Sequence, residues 1–151
     1  MKARDVMSRP AIFVRTRVPV DVAAALLVAH GFTAAPVLDD DDRLVGLVTE
    51  TDLVGGPPEP DDGLPEELPQ PTVGEVMTEA VVTARPDDEL VDVVAAMLDA
   101  SARSVPVVDD GRLVGVLTGR DVLRLVAHGT LAPGDVWRPR ADGPGTVRRP
   151  G

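Results

Sequence analysis

The sequence predicts an α/β (α+β) fold built as two tandem strand–helix–strand–strand–helix repeats, and three internal matches carry that prediction. Ala35-Pro36-Val37-Leu38-Asp39 returns 70 residues later as Val105-Pro106-Val107-Val108-Asp109. Arg43-Leu44-Val45-Gly46-Leu47-Val48-Thr49-Glu50-Thr51-Asp52 returns as Arg112-Leu113-Val114-Gly115-Val116-Leu117-Thr118-Gly119-Arg120-Asp121. Upstream, Asp5-Val6-Met7-Ser8 is answered by Glu75-Val76-Met77-Thr78. Matches in the same order over a whole half mark a duplication. The single change of register falls in the acidic run Asp39 to Asp42.

Each repeat opens on a short apolar run, Ala11 to Val14 and Val81 to Thr83, expected as a strand. In the first repeat a helix follows Pro19, with Val20, Ala23, Leu26 and Leu27 apolar and His30-Gly31 as its stop. Its partner is expected to start at Asp87 and Asp88, whose carboxylates suit a cap, and to align Leu90, Val93, Val94, Met97 and Leu98. Two strands follow in each half, Pro36 to Leu38 with Leu44 to Val48, and Val105 to Val108 with Leu113 to Leu117. The segments between them, Asp40 to Arg43 and Asp110-Gly111, carry hairpin-turn residues. A second helix begins after Thr49 and after Thr118. The later copy runs through Val122 and Leu125 to His128-Gly129, an ending suited to the helix dipole and a left-handed cap, whereas the earlier one stops at Gly55-Gly56-Pro57-Pro58. The expected organisation is a first repeat over 1–56, an acidic, proline-rich linker over 57–71, a second repeat over 72–130 and a tail over 131–151. The linker holds Asp61, Asp62, Glu66 and Glu67 and reads as solvated chain. The tail, with Trp137 as an apolar plug or dimer contact and Arg138, Arg140, Arg148 and Arg149, lacks an apolar period and is expected to be disordered toward its end.

Composition narrows the chemistry. A chain of 151 residues can bury a sizeable core. With no Cys it has no disulfide, thiolate metal site or cysteine nucleophile, and its two His, His30 and His128, both sit at expected helix ends before Gly. Fifteen basic against twenty-five acidic residues give −10, the wrong sign for wrapping a nucleic acid. No apolar run reaches about 18 residues and no signal peptide is readable, so a soluble cytoplasmic chain is expected, with neither a nucleic acid nor a membrane as partner. The run Asp39 to Asp42 reads as a hairpin turn and not as a metal site. No nucleophile–base pair or metal cluster is legible, so no catalytic residue, no metal, no cofactor and no enzyme activity are expected.

The sharpest motif is the repeated Gly-x-x-Thr-x-x-Asp: Gly46, Thr49, Asp52 and Gly115, Thr118, Asp121. A strand ends there and a helix begins with a hydroxyl and then a carboxylate. Free N–H groups and the dipole at a helix start suit an anion. Glycine lets a ligand or another backbone come close. A threonine hydroxyl can meet a phosphate, and an ionised aspartate can accept two hydrogen bonds from a ribose diol. The same spacing is also a capping box, which needs no ligand. Two copies at the same offset favour the nucleotide.

With its apolar-Pro-Val-x-Asp strands and its Asp-Val-Met and Glu-Val-Met openings, the chain from about residue 3 to 129 resembles a tandem pair of CBS domains, a Bateman module, in the form of a stand-alone bacterial protein. The resemblance implies a compact pseudo-two-fold unit, regulatory rather than catalytic, that binds AMP, ADP or ATP and acts on a separate, unknown protein partner. It implies a homodimer as well. The alternatives are a ligand-independent dimerisation or docking module, or a binder of another adenosyl ligand such as S-adenosylmethionine. Carried across by position, Asp52 and Asp121 would hold ribose hydroxyls and Thr49 and Thr118 the phosphate or sugar, with Thr51 and Arg120 on the same turns. The resemblance implies clefts built from both halves, Asp121 facing Val18, Ala23, Phe32 and Thr33, and Asp52 facing Asp88, Val93, Ala102 and Arg103. Phe32 could stack on a base, and Arg103 could meet a phosphate where the first half has Thr33.

Overall fold

The computed structural model describes residues 1–55, 70–79 and 81–131. Most of the expected linker, with Asp61, Asp62, Glu66 and Glu67, and all of the tail beyond Leu131, with Trp137 and the four arginines, lie outside the described residues. In chain order the elements are α1 (Ala3–Val6), β1 (Val14–Arg15), α2 (Val20–His30), β2 (Ala34–Leu38), β3 (Leu44–Thr49), α3 (Glu50–Gly55), α4 (Val73–Val76), α5 (Leu90–Asp99), β4 (Ser104–Asp109), β5 (Arg112–Thr118) and α6 (Gly119–Ala127).

These elements form two compact units whose membership departs from chain order. One comprises described residues 13–55 and 70–79, the other 1–12 and 81–131. Each repeat therefore lends its opening segment to the unit built around the other repeat's hairpin.

In the first of these units β1 lies parallel to β2 (Val14 opposite Val37) and β2 antiparallel to β3, from Ala34 opposite Thr49 to Leu38 opposite Leu44. Val14, Ala23, Leu27, Ala35, Val37, Val48, Leu53 and Val73 form its core. Val73 belongs to the incoming segment, which is tied by Val73 N–H to Val18 O at 2.8 Å and Gly74 N–H to Thr16 O at 2.9 Å.

In the other unit β4 and β5 pair from Ser104 opposite Thr118 to Asp109 opposite Arg112, with an irregularity between Val107 and Val108 matching the one between Val37 and Leu38 in the first. Asp110 and Gly111 close this hairpin with positive φ at both positions (51° and 80°), the geometry of a type I′ turn. Helix α5 is the centre of the core, burying Leu90, Val93, Val94, Ala95, Ala96 and Met97. Each large apolar side chain so buried stabilises by about 1.5–3 kcal/mol. The incoming segment adds Ala3, fully buried, and bonds Ala3 N–H to Asp88 O (2.9 Å) and Arg4 N–H to Pro86 O (3.0 Å). Ion pairs Lys2–Glu89 and Arg4–Asp87 flank it at the surface.

Four expectations are corrected. The strand expected over Ala11 to Val14 is reduced to Val14–Arg15, because the chain leaves one unit for the other between Ile12 and Phe13. The strand expected over Val81 to Thr83 does not form. Val81 and Thr83 are buried and Ala84 lies in a parallel bridge beside Val107, so the apolar pattern there marks a buried stretch that does not extend into a continuous strand. Helix α5 starts one residue after Glu89 and not at Asp87 or Asp88, since the Asp88 carboxylate instead accepts the Arg85 N–H at 2.8 Å in the preceding turn. Leu98, expected on the buried side, is exposed.

The helix ends show how the two repeats diverge. After α2 the chain turns at Gly31 (φ 67°), and Phe32 N–H reaches back to Leu27 O at 2.9 Å, a Schellman closure. After α5 the same closure runs from Ala102 N–H to Met97 O at 2.8 Å, but the left-handed residue is Ser101, at φ 52°. A side chain in that region is strained by roughly 1–2 kcal/mol. Ser101→Gly should therefore raise the unfolding free energy by about 1 kcal/mol, read as a higher denaturant midpoint at unchanged slope. An unchanged or lower midpoint would show that Ser101 is not strained.

Candidate functional site

The two Thr-x-x-Asp turns sit where β3 runs into α3 and where β5 runs into α6. Thr49 N–H donates to Asp52 Oδ2 at 3.0 Å while Asp52 N–H donates to Thr49 Oγ1 at 3.1 Å. In the second copy Thr118 N–H donates to Asp121 Oδ2 at 3.0 Å and Asp121 N–H to Thr118 Oγ1 at 3.2 Å. Each pair satisfies two N–H groups that a helix start leaves without an intrahelical partner, so both motifs are reciprocal capping boxes.

Both carboxylates receive a further donor from the segment contributed by the other repeat. Ser8 Oγ lies 3.2 and 3.3 Å from the two oxygens of Asp121. Thr78 Oγ1 lies 3.3 Å from Asp52 Oδ2 and 3.5 Å from Oδ1. The sequence reading assigns these hydroxyls no role, although they follow Val-Met at the same place in both repeats. They are brought there by backbone. Ser8 N–H donates to Val116 O (2.8 Å) and Val116 N–H to Ser8 O (3.2 Å), as Thr78 and Leu47 exchange bonds of 2.8 and 2.9 Å.

This approach explains the glycine of the motif. A Cβ on Gly46 would stand 2.7 Å from Thr78 O and 2.9 Å from Met77 Sδ. One on Gly115 would stand 2.5 Å from Met7 Sδ and 3.1 Å from Ser8 O. Of the two things glycine was expected to admit, a ligand or a backbone, the structure shows the backbone.

The two copies differ in electrostatics. Asp121 is 6% exposed; it also accepts the Thr118 hydroxyl at 3.0 Å and has Arg124 Nη1 at 3.5 Å. Asp52 is half-buried, and the position that corresponds to Arg124 is Gly55, at the end of a helix of six residues against nine in α6.

The remaining residues singled out in the sequence fall into two groups. Thr33 O accepts the Glu50 N–H and Arg103 O accepts the Gly119 N–H, both at 3.0 Å, so each lies beside the Thr-x-x-Asp turn of its own repeat. Thr33, Thr49, Thr51 and Asp52 are thus gathered in one unit, and Ala102, Arg103, Thr118, Arg120 and Asp121 in the other; Thr51 and Arg120 are exposed on the first helical turns. Phe32 stacks on His30, ring centres 5.0 Å apart. Val18 packs against the core of its own unit. Ala23 and Val93, placed on cleft walls by the resemblance, are fully buried in the cores of their own units, and Asp88 is engaged with the Arg85 amide.

His30 ends α2 and His128 caps α6, each followed by a glycine at positive φ. The acidic run is a turn held by arginines: Asp39 Oδ1 accepts the N–H groups of Asp41 and Arg43 at 2.9 Å, and Arg15, Arg17 and Arg43 pair with Asp42, Asp40 and Asp39. The Arg43 amide, above all, holds the Asp39 carboxyl below its ordinary range. In the same way the hydrogen bond with Asp40 raises the Arg17 guanidinium and that from Lys2 lowers the Glu89 carboxyl. Among the described residues no group of three or more His, Cys, Asp or Glu could hold a metal ion, and no helix is long and apolar enough to cross a membrane.

The family model for the CBS domain matches the chain twice, over residues 3–57 and 73–128. The chain is 32% identical over 125 residues to the L-aspartate semialdehyde sulfurtransferase of Methanocaldococcus jannaschii, a match covering 81% of this chain and 22% of that protein. The chain thus spans about a fifth of that relative's length. Among solved structures it is similar to the CBS domain pair of protein MJ0100 in complex with 5′-methylthioadenosine and S-adenosyl-L-methionine, with 30% identity, a TM-score of 0.72 and coverage of 85% of this chain and 98% of that one. It is also similar to CBSX2 in complex with AMP, with 31% identity, a TM-score of 0.73 and coverage of 86% and 98%.

The glycine contacts make a differential prediction. At Gly46 a methyl group meets a backbone oxygen at 2.7 Å that cannot swing away, whereas at Gly115 the nearest atoms are Met7 Sδ and Cγ on a flexible side chain, with the backbone oxygen of Ser8 farther off at 3.1 Å. Overpacking of this kind destabilises by roughly 1–3 kcal/mol. Gly46→Ala should fall in the upper part of that range and Gly115→Ala in the lower part by denaturant unfolding. Equal, negligible losses would mean that the segments are not packed on these glycines.

Proposed function

The chain belongs to the CBS-domain family as a tandem pair, and on that premise we propose that it is a regulatory module that binds an adenosine compound and acts on a separate protein. AMP, ADP and ATP are the proposed ligands, with S-adenosylmethionine as the other adenosyl candidate. The observation that carries this reading is the twofold recurrence of a carboxylate, a threonine hydroxyl and a helix start in one geometry. Two structures similar to this chain were solved with adenosine-containing ligands, which supports the same reading.

In the proposed arrangement Asp121 accepts from the ribose hydroxyls, and Thr118 and Arg120 face the sugar or phosphate. Arg103, beside that turn, supplies positive charge. Asp52, Thr49 and Thr51 form the corresponding turn of the other unit, where Thr33 replaces the arginine. Signalling then requires that the ligand bind one of two conformational states more tightly, since a ligand with equal affinity for both shifts nothing. The module itself is regulatory and not catalytic, and a homodimer is its proposed assembly. A second reading, a docking or dimerisation module with no ligand, is favoured by one observation: both carboxylates already have partners in the caps and in Ser8 and Thr78.

Calorimetric unfolding against AMP, ADP, ATP, S-adenosylmethionine and 5′-methylthioadenosine separates the two. A ligand at about 100 times its dissociation constant adds roughly 2.7 kcal/mol, and a chain of this size should unfold several degrees higher. Asp121→Ala removes a capping interaction of about 1 kcal/mol, and on the proposed reading it also removes most of the ligand-induced shift. A stability loss with no ligand dependence in either protein would leave the docking module.

A further inference from the structure

We infer that Ser8 is a positioning residue that competes with the ligand: its hydroxyl occupies the acceptor positions on Asp121 that a ribose diol would need, so ligand binding and attachment of residues 1–12 oppose each other. The inference rests on the adenosine reading above and deepens it. It starts from the lone pairs. A carboxylate offers about four acceptor positions. On Asp121, Oδ2 takes the Thr118 N–H and the Thr118 hydroxyl, each at 3.0 Å. The positions on Oδ1 face the Ser8 hydroxyl at 3.2 Å and Arg124 at 3.5 Å. With the carboxylate 6% exposed, an incoming diol must displace some of these donors.

A diol brings two donors, and Ser8 yields together with the longer, largely exposed Arg124 contact. The two Thr118 bonds belong to the helix cap, and breaking them would expose the first turn. The Ser8 contact is shared between both oxygens and is long for O–H···O, so it is weak and easily given up. The recurrence of the pair supports a role beyond backbone fit. Thr78 makes the same contact with Asp52, and Ser and Thr share little at this position except the hydroxyl. The consequence is linkage: once Ser8 Oγ leaves Asp121, the segment keeps its backbone bonds to Val116 but loses its side-chain tie, and the ligand signal reaches the first residues of the chain.

Calorimetric titration of the full chain with AMP, and with ADP, ATP or S-adenosylmethionine if AMP does not bind, tests this. Ser8→Ala should bind about two- to fivefold more tightly than the wild type, and Ser8→Thr should match the wild type, since Thr78 fills the equivalent place. In the wild type the same ligand should speed exchange of the Ser8 and Val116 amide protons, a readout that needs no variant. Unchanged or weaker binding by a folded Ser8→Ala, or amide exchange unmoved by bound ligand, overturns the competition while leaving the adenosine reading in place. If the wild type binds none of AMP, ADP, ATP and S-adenosylmethionine, the adenosine reading fails and the competition falls with it.

Discussion

The close approach of each opening segment to the hairpin of the other repeat is the constraint from which the rest of the structure follows. It places Thr78 O where a side chain at position 46 would stand, and Met7 and Ser8 where one at position 115 would stand. Only glycine fits there, and the backbone bonds at Leu47 and Val116 then fix the segment's register. That register brings a hydroxyl to the carboxylate that closes the helix cap five residues farther along the chain, at Asp52 and Asp121. One contact thus links strand, helix start and the first residues of the repeat, and the motif's three named positions are parts of a single packing arrangement. The chemistry proposed for the carboxylates is built on a position that already has a structural use.

The duplicated units do not offer equal surroundings to the proposed ligand. The second has a complete α6, a nearly buried Asp121 with Arg124 beside it, and Arg103 next to the turn. The first has a helix of six residues, Gly55 in place of Arg124 and Thr33 in place of Arg103. On the proposed reading, the Arg124 side chain beside Asp121 and Arg103 on the adjoining backbone make that unit the better one for a phosphate-bearing ligand, even on a chain whose net charge is −10. Distant charges matter little because salt screens them beyond about 8 Å. The strain runs in the opposite direction, with Gly31 relaxed after α2 and Ser101 held at positive φ after α5.

The duplication, both hairpins, α2 and the unequal final helices were legible because each leaves a local mark: apolar period, turn residues or a glycine stop. The capping boxes were legible for the same reason. The segment exchange was not, since Asp5-Val6-Met7-Ser8 and Glu75-Val76-Met77-Thr78 say nothing of which hairpin they join. That choice is made by long-range packing of Ala3 and Val73 into their cores. Ser8 and Thr78 went without a role for this reason alone. Local pattern also misled: Val81 and Thr83 are buried like strand residues although no continuous strand forms over them, and Asp88 looks like a cap yet closes a turn before Glu89.

The central claim, that the Thr-x-x-Asp turns serve an adenosine ligand as well as a helix cap, is tested most directly by following the amide resonances of isotope-labelled protein as AMP or S-adenosylmethionine is added. The account expects saturable shifts concentrated at Thr118 to Asp121, at Arg103 and at Ser8, with Thr49 to Asp52 responding in so far as the first unit binds. Shifts confined to other surfaces, or none at millimolar ligand, would contradict it and leave these turns as caps.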